Sequence, residues 1–397
     1  ERTRRLKDDV AQAQQALLGP GRGSLQARGL TIESAALFSE EVFASGIDIR
    51  TGVPVETGPL AGFDQGEVTD SRSVAKQIID KIVKSGFSER LGPKVSVVVD
   101  GGGSLAMSGV LADVRLVASS REPGLWVVSV GDTEADARPV ARTDSDTAVA
   151  LCLGLLDAIA EIGRSGRGRA LPEAAISSAC DTVGLRFEPN AELPGRRQAP
   201  SPRSPIGRFT LTENRYALGV GLPYGQASAS QIHMFCQAVE DAAVSEFRFA
   251  PDHALLAICD SDAIVNQVMS AAQEIGLITD QHDPRLRIVA CAGAPACASA
   301  TIRTKAIAAE IAFHGLLPPD GQVHVSCCPK GCAEPASAAI SIIGTQDGAR
   351  VLNGRAGQEF AHVAEREVAA AFQRVMRSRD MGRETSAAFA VPPRNSG

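Results

Sequence analysis

Aromatic side chains are scarce in this chain: 13 Phe, 2 Tyr and 1 Trp among 397 residues. The remaining composition, 44% hydrophobic and 22% charged, is the globular average and excludes a disordered or coiled-coil protein. No run of about 18 apolar residues is present to span a bilayer. The opening Glu1-Arg2-Thr3-Arg4-Arg5 leads into polar sequence without the apolar region of a signal peptide, so a soluble cytoplasmic protein is expected. Positive charge is not in excess either. Forty Lys and Arg against 46 Asp and Glu give a net charge of −6, which removes any general attraction to nucleic acid. The six histidines (His233, His253, His282, His314, His324, His362) show no two-His-one-carboxylate spacing, so sequence places no iron site of that kind.

Cysteine is what the chain does have. Five of its nine cysteines fall between Cys291 and Cys332, a clustering that points to metal chemistry rather than to a secreted disulfide framework. The other four, Cys152, Cys180, Cys236 and Cys259, sit in apolar stretches and are expected to be buried and inert. Within the group, Cys291 and Cys297 are separated by five residues and Cys328 and Cys332 by three. Zinc pairs usually use spacers of two to four, whereas four thiolates on two loops can hold a larger 4Fe-4S cage. Small residues in Gly293-Ala294-Pro295-Ala296 and the tight turn Pro329-Lys330-Gly331 let backbone amides approach the sulfides. Adjacent side chains diverge, so one of Cys327 and Cys328 is expected to serve. Cys328 is chosen for its pairing with Cys332.

Helices and strands alternate along the chain, as in an α/β or α+β protein. Helices are expected at 1–18, 34–45, 73–85 and 144–162, and strands at 24–30, 94–100, 114–118 and 126–130. A Pro- and Arg-rich linker covers 186–208. Beyond it the pattern repeats: strand 246–249, a glycine turn at 219–223, helix 263–275, buried strand 286–290, strand pair 338–343 and 349–352, and a closing helix 361–375. The helix 263–275 and strand 286–290 read as second copies of 73–85 and 94–100. Asp100-Gly101-Gly102-Gly103 lacks the G-x-G-x-x-G register of a dinucleotide loop and reads as a structural turn.

These motifs carry a family resemblance. Cys291-x5-Cys297 with Cys328-Pro-Lys-Gly-Cys332 resembles the cluster motif of the nitrite and sulfite reductase superfamily, and Cys291-Ala-Gly-Ala-Pro-Ala-Cys297-Ala-Ser299-Ala resembles its corrin-pathway branch, the precorrin-3B synthase family. Gly58-Pro-Leu-Ala-Gly-Phe-Asp64, Pro93-Lys94-Val95-Ser96 and Gly219-Val-Gly-Leu-Pro-Tyr-Gly-Gln226 add to the match, which spans most of residues 20–375. The resemblance implies an α+β fold of duplicated nitrite/sulfite reductase-like architecture. It has two ferredoxin-like half-domains (1–65, expected to be N-terminally incomplete, and 209–262) and two α/β lobes (66–185 and 263–380) around a central cleft, with a flexible tail at 381–397.

It also implies a reaction: conversion of precorrin-3A to precorrin-3B by C-20 hydroxylation and γ-lactone formation in aerobic cobalamin synthesis. The implied requirements are a 4Fe-4S cluster on Cys291, Cys297, Cys328 and Cys332, a mononuclear non-haem iron, dioxygen, and NADH-derived electrons delivered by a reductase partner. No nucleic acid or membrane partner is implied. A substrate with many carboxylates calls for Arg and Lys at the cleft. By resemblance Arg22, Arg28, Arg50 and Lys94 take that role, and Arg303 and Lys330 beside the cluster loops join them. The reductases pair two active-site lysines where this chain has Lys94 and Ser96, a departure that favours the corrin branch. A sirohaem-dependent sulfite or nitrite reductase and a non-catalytic iron-sulfur electron carrier are the alternatives.

Overall fold

The computed structural model describes residues 16–18, 26–27, 30–46, 52–189, 203–244, 246–315, 317–333, 338–354 and 356–388. Its frame is a pair of five-stranded sheets with one topology. The first is ordered β3 (Val55–Thr57), β4 (Val97–Asp100), β5 (Val114–Ala118), β6 (Leu125–Val130), β7 (Arg138–Asp144). The second is ordered β13 (Ile288–Ala290), β14 (Val323–Ser326), β15 (Ile340–Thr345), β16 (Gly348–Asn353), β17 (Glu359–Val363). In each, three parallel strands are followed by two antiparallel ones. Each sheet has a helix in its first crossover, Ser71–Ser85 or Thr304–His314, and a long helix after its last strand, Ser145–Ile162 or Val368–Ala388.

Local sequence explains these elements. β4 and β5 are buried along their whole length and correspondingly read as near-continuous Val and Leu. Val74, Ile78 and Ile82 recur every fourth residue, so the helix Ser71–Ser85 buries one stripe against the sheet. Asp144 caps the helix Ser145–Ile162, its carboxylate accepting from the backbone N–H of Asp146 and Thr147 at 3.0 Å each. The two lobe cores are separate: one is built around Trp126, Leu151 and Leu155, the other around Ile307, Ile342 and Phe372.

A four-stranded antiparallel sheet joins them, ordered β11 (Glu246–Ala250), β12 (Ala254–Cys259), β9 (Arg215–Gly221), β8 (Gly207–Thr212). Gly221 and Ile278 exchange backbone hydrogen bonds of 2.7 and 2.9 Å at the far edge of β9. Taken with that bridge, β9, the helix Ala229–Asp241, β11, β12 and the helix Asp262–Glu274 follow the ferredoxin-like order. A short sheet pairs β10 (Gln226–Ser228) with β1 (Ala16–Leu18), and β1 with β2 (Gln26–Ala27).

Several expectations need correction. Ala16–Leu18 is strand, not the end of a helix, and residues 1–15 lie outside those described. Gly219–Gly221 continue β9, and the turn comes after them, at Pro223–Gly225. Leu286 belongs to a 3-10 turn ahead of β13. Ala361–Val363 is strand, since β16 offers it a partner edge, and the last helix starts at Val368 and runs to Ala388. The repeat is also offset by one strand. The counterpart of β4 is β14, not β13, and the counterpart of Ser71–Ser85 is Thr304–His314; the helix Asp262–Glu274 packs its Val265, Val268 and Ala272 into the core of the four-stranded sheet. Cys152, Cys180 and Cys259 are buried, as expected, and burial pushes their thiols up to about 12, 11 and 11. Cys236 is exposed because its helix turns the neighbouring Phe235 inward instead.

Candidate cluster site

Two parallel strands end side by side at the cysteines. β13 and β14 run in register from Ile288↔Val323 to Ala290↔Val325, and the ladder continues one step as Cys291 N–H donates to the Val325 carbonyl at 3.0 Å. Both cysteine loops therefore leave from the carboxyl edge of one parallel sheet, where such sheets place their sites. The backbone of Cys291 is pinned from two sides: its carbonyl accepts from Thr304 Oγ1 at 2.7 Å and from Gln226 Nε2 at 3.2 Å. The Cys327 carbonyl accepts from Thr301 Oγ1 at 2.8 Å and Thr301 N–H at 3.2 Å. Close approach demands glycine at two points. Gly293 has φ +66° and a Cβ there would lie 2.3 Å from Thr304 Oγ1; at Gly344 on β15 it would lie 2.7 Å from the Cys327 carbonyl.

The sulfurs differ in environment. Cys291, Cys327 and Cys328 are buried, Cys297 is half-buried and Cys332 is exposed. Cys291 Sγ accepts from Cys327 N–H at 3.1 Å. The Cys327 thiol and amide beside it hold Cys291 below the ordinary thiol range against the opposing effect of burial. Cys327 is driven the other way, first by the hydrogen bond its thiol donates toward Cys291, then by burial and by the charges of Cys291 and Cys297. Cys327, the neighbour of the expected ligand Cys328, is thus the residue whose backbone contacts Cys291 Sγ. Cys328 lies in the same core, its carbonyl accepting from Ser326 Oγ at 2.6 Å.

Among the described residues no three Cys, His, Asp or Glu side chains converge closely enough to hold a metal ion. The donor chemistry fits an iron-sulfur cluster all the same. Five thiols stand on two loops that leave one sheet edge, and the positive-φ Gly293 and Gly331 leave the loops free of bulk.

The basic candidates are more dispersed. Arg22, Arg28 and Arg50 lie outside the described residues. Lys94 is exposed in the turn before β4, whereas Ser96 is buried, its N–H donating to Asp113 Oδ2 at 3.0 Å. Arg303 is exposed and paired with Glu365 at 3.0 Å. Lys330 Nζ reaches Ser299 Oγ at 3.4 Å, which ties one cysteine loop to the other. His253 stands in the left-handed conformation, with Asp252, in the β11–β12 turn, and burial pushes it down to about 4. Gln226, Thr301, Thr304 and Gly344 are the site residues that sequence reasoning misses; only Gln226 carried a signal, as the last residue of the Gly219–Gln226 motif.

The first lobe has no thiols at the matching edge. β3 and β4 deliver Gly58–Asp64 and Gly101–Leu105 there, around a shallow recess with room for about one water. Its carboxylates serve the backbone: Asp64 accepts from Gly66 and Ser104, Glu67 from Gly62 and Ser71, and Asp100 from Gly102 and Met107. Asp100-Gly-Gly-Gly103 is thus the structural turn expected. Arg248 of β11 locks the same loop, donating to the carbonyls of Pro59 at 3.2 Å and Ala61 at 2.9 Å.

The paired lobes around a ferredoxin-like sheet define the fold of the nitrite and sulfite reductases. The NirA protein of Mycobacterium tuberculosis matches with a TM-score of 0.71 at 18% identity, over 94% of this chain and 77% of that one. No family model matches the chain. A precorrin-3B synthase from Sinorhizobium is 33% identical over 363 residues, 90% of this chain and 77% of the relative. A ferredoxin–nitrite reductase from Synechococcus elongatus is 24% identical over 387 residues, 87% of this chain and 75% of the relative. The chain belongs to the precorrin-3B synthase family.

Proposed function

We propose that this chain is an iron-sulfur monooxygenase of aerobic cobalamin biosynthesis that converts precorrin-3A to precorrin-3B. The observation that supports this most is the delivery of the Cys291–Cys297 and Cys327–Cys332 loops to one sheet edge in a chain 33% identical to a precorrin-3B synthase. Cys291, Cys297, Cys328 and Cys332 would hold the 4Fe-4S cluster. When bound, the cluster supplies single electrons, originating in NADH and passed on by a reductase partner, for dioxygen activation at a mononuclear non-haem iron. The chain's own part is to position the macrocycle. Arg22, Arg28, Arg50, Lys94 and Lys330 would bind the peripheral carboxylates, and Arg303 would do so on exchanging its Glu365 partner for substrate.

The nitrite reductase relative supports a second reading, a sirohaem-dependent reductase. Burial of Ser96 at the second lysine position speaks against it, because a hydroxyl bound inside the lobe cannot present a proton at the cleft. The spectrum of anaerobically purified protein separates the two. Broad iron-sulfur absorption without haem bands, together with precorrin-3B formed from precorrin-3A, dioxygen and a reductant, is the expected result. Intense sirohaem bands would overturn the proposal. An intact cluster without turnover would favour an electron carrier. Cys291→Ser is expected to abolish bound iron and sulfide, and unchanged content would show the ligand assignment to be wrong.

A further inference from the structure

Cys327 is the thiol of the group that the proposed cluster does not use, yet it is the one held against Cys291. We infer that Cys291 and Cys327 form an intramolecular disulfide when the cluster site is empty, a covalent modification that closes the site to iron. The geometry rests on the chain leaving β14 at Ser326, where it bends and brings the Cys327 amide nitrogen to 3.1 Å from Cys291 Sγ. With about 1.46 Å from N to Cα, the Cys327 Cα lies within about 4.6 Å of that sulfur, close enough for the two thiols to meet on side-chain rotation. The Cys327 thiol lies beside the same sulfur, and each of the two shifts the other's titration. Both backbones are already fixed, by Gln226 and Thr304 on one side and Thr301 on the other, so closure needs little more than side-chain rotation.

The step balances with dioxygen as oxidant. Two S–H bonds break, one S–S bond forms, and the two electrons and two protons pass to dioxygen to give hydrogen peroxide. Cys297 and Cys332, the less buried thiols, remain free. The disulfide stands on this geometry alone, whereas its competition with cluster assembly rests on the reading under Proposed function.

Protein stripped of iron by a chelator under reducing, anaerobic conditions is divided, and one half is exposed to air-saturated buffer. Free thiols are alkylated in denaturant, and tandem mass spectrometry distinguishes Cys291 from Cys297 and Cys327 from Cys328. The expected product is a Cys291–Cys327 cross-linked peptide, two hydrogens lighter than the dithiol and abolished by reduction. Alkylation of both residues, or Cys327 joined to Cys297 or Cys328, would overturn the inference. Iron and sulfide uptake is then measured on both halves. Air-exposed wild type should lose uptake until reduced, while Cys327→Ala and Cys327→Ser should take up equal amounts before and after air. Equal loss in those variants would overturn the closing role. If the reduced half of the wild type takes up neither iron nor sulfide, the cluster reading fails and the peptide map still decides the disulfide.

Discussion

Gln226 reaches across the molecule to Cys291, its side-chain Nε2 donating to the cysteine's carbonyl at 3.2 Å although 65 residues separate the two. The contact couples β10, and through it β1, to the loop that begins at Cys291. Gln226 is buried, so losing the bond would leave the Cys291 carbonyl, away from solvent, with Thr304 as its remaining side-chain partner. Gln226→Ala should therefore cost about 1–2 kcal/mol, read as a lowered Tm, and should reduce iron retained per chain during desalting. A lowered Tm with full iron retention would mean that Gln226 supports the fold without positioning Cys291.

Arg248 performs a comparable task on the first lobe. It donates to two loop carbonyls, lies over the Phe63 ring at 4.5 Å, and pairs with Glu246 at 2.6 Å. Two hydrogen bonds from a charged donor and a ring contact together make Arg248→Ala a loss of about 3 kcal/mol. Arg248→Lys should recover less than half of it, because one ammonium cannot serve the two carbonyls that Nη1 reaches and also hold Glu246, which Arg248 pairs through Nε. Urea unfolding of the two variants checks the order, and equal stability for Lys and Arg would contradict the forked geometry.

These two side chains mark what sequence reading could and could not reach. The Val- and Leu-rich strands β4, β5 and β6 and the capped helix Ser145–Ile162 were legible because burial on both faces writes itself as nearly continuous apolar sequence. β3 and β14, three and four residues long, were not, since so short a run has no period to detect. Missing them displaced the repeat by one strand. The cysteine loops were legible from spacing alone. Gln226, Thr301, Thr304 and Gly344 were not, because their work is to satisfy or approach the backbone of Cys291 and Cys327, and that contact exists only once the lobe is folded. The choice of Cys328 over Cys327 followed from spacing, while the approach of Cys327 to Cys291 follows from the bend after Ser326, which spacing does not encode.

His253 gives stability a pH dependence with a definite sign. Burial favours its neutral form and holds it at about 4, below the ordinary 6.5 of the unfolded chain. The unfolded state then binds more protons between those values, so the His253 contribution is complete above about 6.5 and is lost as pH falls toward about 4. His253→Asn keeps a residue that tolerates φ +60° and removes the titration. Urea midpoints of the variant should fall less than those of the wild type across that window. Parallel curves would place the acid sensitivity elsewhere.

The last test concerns Gly344, which faces the cysteine loop from β15. A methyl group there would meet Thr301 Oγ1 at 2.4 Å, the Cys327 carbonyl at 2.7 Å and Ile302 Cγ1 at 2.9 Å. The carbonyl is backbone and cannot rotate away, and Thr301 is the residue that anchors it. Gly344→Ala should therefore move Cys327 and its neighbour Cys328 together, at a cost of about 1–3 kcal/mol. The decisive measurement is iron and sulfide bound after anaerobic reconstitution, compared with Gly348→Ala on the same hairpin. A Cβ at Gly348 would strike the Val363 carbonyl, far in sequence from either cysteine loop. Loss of stability in both variants with loss of cluster only in Gly344→Ala is the expected pattern, and retention of the full cluster in Gly344→Ala would show that the loop adapts.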